Sequence, residues 1–360
     1  MKTRLSIILT AAILLSQSMP ADACTGITLK SKDGSTIVAR TIEWGGTFLN
    51  SQYVIVPRGY TERSYTPGGT QEGMTITARY GYVGLSVEQK DFVAEGINEV
   101  GLSAGLYYFP HYGKYEDYDV SRKGSSIADL QLVSLILGTC KTVEDVKETL
   151  QNIHVINIDP RASTLHWRFT DTSGKQIVLE IIDSKIRFYD DVLGVLTNSP
   201  GFDWQLTNLN NYVNLYPGTT PKHPFGDIEL SSLGAGSGFL GLPGDITPPS
   251  RFVRAAFYQT TAPQQGTAEK AVLQGFQILN NFDIPIGIEF APGETPLDIP
   301  SATQWTSATD IKNRIIYYRT MYDSTIRRID LNTIDFSTVK YQAMPLDKEK
   351  KQSIVSIDIN

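Results

Sequence analysis

The sequence predicts an α+β fold, one large domain behind a removable leader, and three observations carry that reading. Strand-like and helix-like stretches follow one another in blocks: strands, helices, strands, helices, strands. The strict strand–helix–strand alternation of a doubly wound parallel sheet is absent. Residues 24–360 show no internal repeat and no break in composition, and 41% of the chain is hydrophobic, an ordinary globular value with length to spare for a core. Large antiparallel sheets with helices layered on them are the simplest outcome.

Residues 1–23 read as an export signal. Lys2 and Arg4 supply the positive start, and Leu5 to Leu15 is apolar apart from Ser6 and Thr10. Ala21-Asp22-Ala23 fits the small-x-small cleavage pattern. The apolar run is too short to span a bilayer core of about 30 Å, and no later segment approaches about 20 apolar residues. The expectation is an exported chain, periplasmic or secreted, with no stable membrane insertion and Cys24 as its first residue. The net charge of −6 favours solubility and lacks the basic stripe of a nucleic-acid binder.

The mature chain opens with alternating, β-rich sequence. Thr25–Ser31 and Thr36–Ile42 flank Lys32-Asp33-Gly34-Ser35, and Asp-Gly between such runs signals a two-residue hairpin. Strands are expected at Tyr53–Pro57, Met74–Leu85 and Phe92–Ala94. Apolar spacing at Ile127, Leu130, Val133, Ile136 and Leu137 predicts a helix over Ser126–Cys140. A second helix is expected over Val143–Ile153, with Thr142 as N-cap and Asp145 completing a capping box. Strands follow at His166–Thr170, Gln176–Ile182 and Lys185–Tyr189. The Gly- and Pro-rich stretch 217–249 reads as loop, and helices are expected at Arg251–Gln259 and Ala268–Asn280. From Gln304 onward strands return at Ile315–Arg319 and Ile326–Leu331.

Cys24 is the chemical focus. Cleavage after Ala23 would give it a free α-amine of pKa about 7.7–8.0 beside a thiol of about 8.5. One residue then supplies nucleophile and base, as in N-terminal threonine hydrolases, and no histidine is required. A two-residue turn at Asp33-Gly34 places Cys24 opposite Glu43, so a carboxylate would stand beside the amine and thiol. The same register sends Arg40 to the other face, unless a bulge intervenes. Two other readings of Cys24 exist. It could pair with Cys140, the only other cysteine, although a chain of this size needs no staple. It could also be the lipid-bearing cysteine of a binding lipoprotein, but Ala21 and Asp22 fit that pattern poorly.

Several motifs then fall in order. They are Cys24-Thr25-Gly26, Arg40-Thr41-Ile42-Glu43-Trp44, Gly96-Ile97-Asn98-Glu99, Gly101-Leu102-Ser103-Ala104-Gly105-Leu106, Leu196-Thr197-Asn198-Ser199-Pro200, Gly241-Leu242-Pro243-Gly244-Asp245 and Ser250-Arg251-Phe252. Together they resemble the choloylglycine hydrolase family of bile salt hydrolases and penicillin V acylases. The resemblance implies a four-layer N-terminal-nucleophile fold, two stacked antiparallel sheets between helical layers. It implies cofactor-free hydrolysis of a linear amide, a metal-free site and a homotetramer. Carried over by position, Cys24 is the nucleophile, Arg40 the arginine sixteen residues beyond it, and Glu43 stands for an aspartate that holds the α-amine. Asn198 matches an oxyanion-hole asparagine and Arg251 a second site arginine. Tyr107 stands where bile salt hydrolases carry asparagine and penicillin V acylases tyrosine. Its backbone N–H could serve the oxyanion, and its side chain would bear on substrate choice. A conjugated bile salt is the expected substrate, with penicillin V as the alternative.

Two motifs point elsewhere and are set aside. Gly101-Leu102-Ser103-Ala104-Gly105 matches a nucleophile elbow, but β-like sequence ending in Pro110 follows where a helix is required. Gly236-Ser237-Gly238-Phe239-Leu240-Gly241 lies in a loop that leads to Pro243 and opens no helix. The four histidines lack metal-ligand spacing, and His166 beside Trp167 reads as a satisfied core residue.

Overall fold

The computed structural model describes residues 24–44, 49–159, 163–289 and 302–359. The expected export signal lies outside these residues. The chain opens with β1 (Cys24–Lys30) and β2 (Thr36–Trp44). β3 (Gln52–Val56), β4 (Tyr82–Ser86), β5 (Val93–Asn98) and β6 (Ser103–Tyr108) follow. Helices α1 (Leu132–Thr139) and α2 (Val143–Leu150) lead to β7 (Leu165–Thr170), β8 (Gln176–Ile182) and β9 (Lys185–Asp190). Then come α3 (Phe202–Asn208), α4 (Pro248–Thr261) and α5 (Ala268–Leu279). β10 (Ala302–Asp310), β11 (Ile315–Thr320), β12 (Arg327–Asp330) and β13 (Gln342–Pro345) close the chain.

These strands form two antiparallel sheets. The first runs β1-β2-β10-β11-β12 and the second β9-β8-β7-β6-β5-β4-β3-β13. Helices α4 and α5 lie on the outer face of the first sheet, where Gly275 of α5 approaches Ala39 and Leu29 closely. Helix α1 covers the second sheet, with Leu137 against Gly96. The inner faces meet where Gly26 of β1 approaches Tyr107 of β6. The expected stack of helices, sheet, sheet and helices is present. The central strands of both sheets are buried on two faces, while the edge strands β9 and β13 are largely exposed, and polar residues such as those of β10 are buried along with the apolar ones.

The departures from the sequence reading have local causes. The helix expected over Ser126–Cys140 begins only at Leu132, because Ser126–Ala128 pairs in parallel with His154–Ile156. The strand expected over Met74–Leu85 splits into Thr75–Thr77 and β4. Between them, the Arg79 and Tyr80 N–H groups donate to the Gly138 carbonyl at the end of α1. The start of α2 is as expected: Thr142 and Asp145 form a reciprocal capping box. Helix α3 and strand β10 had no clear periodic signal.

The β1–β2 hairpin is the correction that matters for function. Cys24 pairs with Ile42, not Glu43, and Gly26 pairs with Arg40. The loop has three residues, Lys32, Asp33 and Gly34, closed by Ser31 and Ser35, and Gly34 takes φ +86°. The Gly34 N–H donates to Ser31 O, so a four-residue turn ends in a left-handed glycine, as in the common three-residue hairpin loops. Tertiary contacts select it: Asp33 Oδ2 accepts the Ala268 N–H at the start of α5, and the Lys32 N–H donates to Gln265 O. A one-residue slip exchanges the faces of a strand. Arg40 therefore shares the inner face with Cys24 without any bulge, and Glu43 sits on the helix-facing side with Thr25 and Thr41.

Candidate active site

Cys24 is fully enclosed at the start of β1, and neighbours address each of its polar atoms. Arg40 Nη2 donates to Sγ at 2.9 Å, and the Tyr108 backbone N–H points at the same sulfur. The Cys24 nitrogen donates to Asn198 Oδ1 at 2.8 Å. Its carbonyl accepts from Arg251 Nη1. Burial pushes the thiol up from its usual value; Arg40 and Arg251 oppose that shift and Glu43 adds to it.

Asn198 arrives because the chain after β9 pairs with the free edge of β1. The Gly26 N–H donates to Leu196 O at 2.7 Å, and the Leu196 N–H returns a bond to Gly26 O at 3.1 Å. Asn198 Nδ2 donates to Tyr108 O at 2.7 Å, which ties this edge segment to the second sheet. His166 supports the segment from below, with Nε2 3.0 Å from Thr197 O and Nδ1 3.1 Å from Glu180 Oε1. It is the satisfied core residue that its sequence context suggested.

Arg251 approaches from the helix side. Nη1 donates to Thr25 Oγ1 at 2.7 Å and Nη2 to Asn198 Oδ1 at 2.8 Å. Its Nε donates to Ile246 O at 2.8 Å, so the segment before α4 fixes the guanidinium. That segment is held in turn by Asp245, which accepts from the Thr247 N–H and the Ser250 hydroxyl, and by Arg254, which donates to the carbonyls of Pro243 and Asp245. Glu43 lies in the same quarter. Its Oε1 accepts from the Thr303 hydroxyl at 3.1 Å, and burial lifts its carboxyl to about 8, against Arg251 and the Thr41 and Thr303 hydroxyls.

The structure therefore gathers Cys24, Arg40, Glu43, Asn198 and Arg251 around one residue. Tyr107 requires a correction. Its side chain is fully buried between the sheets, with its ring 4.2 Å from the Arg40 guanidinium, and burial holds its hydroxyl up at about 12. Alternation along β6 turns Tyr107 inward and leaves its neighbour Tyr108 to supply the N–H at the sulfur. The Tyr107 side chain thus packs against Arg40 beneath the thiol. The sequence reading also missed Glu95 and Arg168. Glu95 had a signal, being a lone acid between Phe92-Val93-Ala94 and Gly96-Ile97.

The arrangement can support acyl transfer. A thiol beside a guanidinium ionises more readily. The Tyr108 N–H and the second hydrogen of Asn198 Nδ2 can converge on an oxyanion formed at the sulfur. Ser103 is no rival: it lies within β6, and its hydroxyl donates to Glu95 Oε1 at 3.4 Å. Cys24 and Cys140 are separate free thiols. Among the described residues no helix is long and apolar enough to cross a membrane.

Known proteins resemble this chain over most of its length. The family model of linear amide C–N hydrolases, choloylglycine hydrolase family, matches residues 24–344. The bile salt hydrolase/transferase of Clostridium perfringens is 34% identical over 315 residues, covering 86% of this chain and 92% of that protein. The crystal structure of a variant conjugated bile acid hydrolase from the same organism superposes with a TM-score of 0.80 at 31% identity, covering 93% of this chain and all of that one. A penicillin V acylase from Agrobacterium tumefaciens gives 0.72 at 26% identity, covering 90% of this chain and 92% of its own. The chain belongs to the choloylglycine hydrolase family of linear amide C–N hydrolases.

Proposed function

We propose that this chain hydrolyses the amide bond of glycine- or taurine-conjugated bile salts with Cys24 as an N-terminal nucleophile. One juxtaposition carries the reading. The Cys24 sulfur lies 2.9 Å from Arg40 Nη2, while the nitrogen of the same residue lies 2.8 Å from Asn198 Oδ1. Bile salts are favoured because the relatives named for them are more similar than the penicillin V acylases.

Removal of residues 1–23 on export turns the Cys24 nitrogen into an α-amine, which takes the thiol proton. The thiolate attacks the amide carbonyl carbon, and the oxyanion accepts hydrogen bonds from the Tyr108 N–H and Asn198 Nδ2. The α-ammonium protonates the leaving nitrogen, the C–N bond breaks and a thioester remains. Water, losing its proton to the α-amine, cleaves the thioester and frees the carboxylic acid and the thiol. Asn198 Oδ1 and Glu43 orient the amine, and Arg251 fixes the backbone beneath it.

The mature chain also assembles as a homotetramer. The hairpin of His223–Phe225 and Ile228–Leu230 supports this, because it stands in the 217–249 loop with Phe225 70% and Ile228 65% exposed, apolar surface that a neighbouring copy would cover. Light scattering of the purified protein should give four chains; a monomer would refute it.

The deciding experiment incubates the purified chain beginning at Cys24 with a conjugated bile salt and with penicillin V, beside a Cys24→Ala control. Bile-salt turnover that vanishes in the control supports the reading. Dominant penicillin V turnover moves the chain to the acylase branch. The intact mass of protein recovered from cells tests export processing: a chain starting at unmodified Cys24 is expected, and added lipid would exclude a catalytic α-amine.

A further inference from the structure

Beneath the thiol lies a polar layer that the steps above leave unused. Glu95 of β5 and Arg168 of β7 are both buried there, each 3% exposed. Glu95 Oε2 is 3.7 Å from Arg40 Nη1, while Arg40 Nη2 holds Cys24 Sγ at 2.9 Å. Arg40 also donates from Nη1 to the Ala94 and Leu106 carbonyls and from Nε to the Thr41 carbonyl, so its orientation is fixed and Glu95 acts on the same guanidinium through charge. Arg168 is the second cation in reach of Glu95, and its guanidinium lies 5.7 Å from the same Tyr107 ring that Arg40 covers. Two glycines make room for the cluster. A Cβ on Gly26 would sit 2.3 Å from Tyr107 Oη and 2.9 Å from Arg168 Nη1, and one on Gly105 would sit 2.3 Å from Glu95 Oε2. Burying charges costs much unless they are paired, so three charged groups packed this closely between sheets form an electrostatic unit and not filler.

We propose that Glu95 and Arg168 are positioning residues that act on Cys24 through Arg40: the charge of Arg168 offsets that of Glu95, and so governs how much of the Arg40 charge remains for the sulfur. The inference rests on Cys24 being the nucleophile. The charged groups that act on the thiol are Arg40 of β2 in contact with it and, by charge from the helix side, Glu43 of β2 and Arg251 of α4. Those facing Glu95 are Arg40 and Arg168, with the Ser103 hydroxyl, and Arg168 also faces Asp191. The signs follow. Without the Glu95 charge, less of the positive charge of Arg40 is offset at the sulfur and the thiolate is favoured. Without the Arg168 charge, Glu95 draws on Arg40 alone and the thiolate is disfavoured.

The test is the pH dependence of Cys24 alkylation by iodoacetamide, read from the mass of the Cys24 peptide, with amide hydrolysis followed in the same samples. Glu95→Gln should move the alkylation midpoint down and Arg168→Met should move it up. Each shift should be on the order of one pH unit, the size of one charge changed a few contact distances away in a protein interior. Arg168→Lys, which keeps the charge, should return the midpoint toward the native one. Midpoints that stay in place, or that move the same way in both variants, overturn the proposal, because loosened packing alone has no reason to shift them in opposite directions. If Glu95→Gln does not fold, the Arg168→Met and Arg168→Lys pair decides. Opposite shifts without bile-salt turnover would uphold the positioning roles and sink the substrate reading; turnover with unmoved midpoints would do the reverse.

Discussion

The β1–β2 strand pair meets a buried arginine on each of its two faces, and the two serve different atoms. On the inner face Arg40 touches the sulfur itself and shares Glu95. On the helix face Arg251 touches the Cys24 carbonyl, the Thr25 hydroxyl and Asn198 Oδ1, and never the sulfur. Arg40 bears on the charge of the thiol; Arg251 bears on the backbone from which the Cys24 side chain and nitrogen both project. Residue type and burial are the same, so the atom addressed is what separates the roles.

The most severe way to test this comparison is to remove the residue that joins the faces. Asn198 meets the Cys24 nitrogen and Arg251 through Oδ1 and Tyr108 through Nδ2. Asn198→Ala should lower kcat by about 10²–10³, the usual loss of one oxyanion donor, with KM changed less. A KM effect alone would remove Asn198 from the transition state. Next in size is the contrast between the arginines. Arg40→Met should raise the alkylation midpoint of Cys24 by about 1–3 pH units, the range for loss of an adjacent opposite charge. Arg251→Met should lower the melting temperature more and the midpoint less. Equal midpoint shifts in both would erase the distinction drawn here.

Glu43 sharpens the helix-side description. Burial raises its carboxyl from the usual 4.5 to about 8. Folding therefore favours the protonated acid, and that contribution is complete below about 4.5 and lost as pH rises to about 8. The stability of the unprocessed Cys24→Ala protein should fall across that window, and adding Glu43→Gln should flatten the fall. Parallel melting curves from pH 5 to 8 would show that Glu43 is ionised throughout. The smallest effect expected is at the hairpin. Gly34→Ala places a side chain at φ +86° and should cost about 1 kcal/mol in chemical denaturation while Cys24 still meets Arg40. An unchanged midpoint of unfolding would argue against the left-handed loop.

Much of this molecule was legible in its residues. Periodicity and turn chemistry located β1, β2, β8, α2, α4 and α5, because each hides an apolar face or carries its own cap. Cys24, Asn198 and Arg251 stood out through an ordered set of motifs. Tyr108 and Arg168 did not, since a backbone N–H has no side-chain signature and Arg168 sits in a strand like any other polar residue. What the sequence by itself determined was the order of the elements, the layered α+β class and the chemistry available at Cys24. Only the tertiary structure decided the register. Asp33-Gly34 could also close a two-residue turn, but the Gly34 N–H on Ser31 O, the Ser31 hydroxyl on Asp33 and the bonds of Lys32 and Asp33 to Gln265 and Ala268 of a distant segment together hold the longer loop. Because side chains alternate at every residue, that choice of register carries Arg40 to the sulfur and Glu43 to the other face.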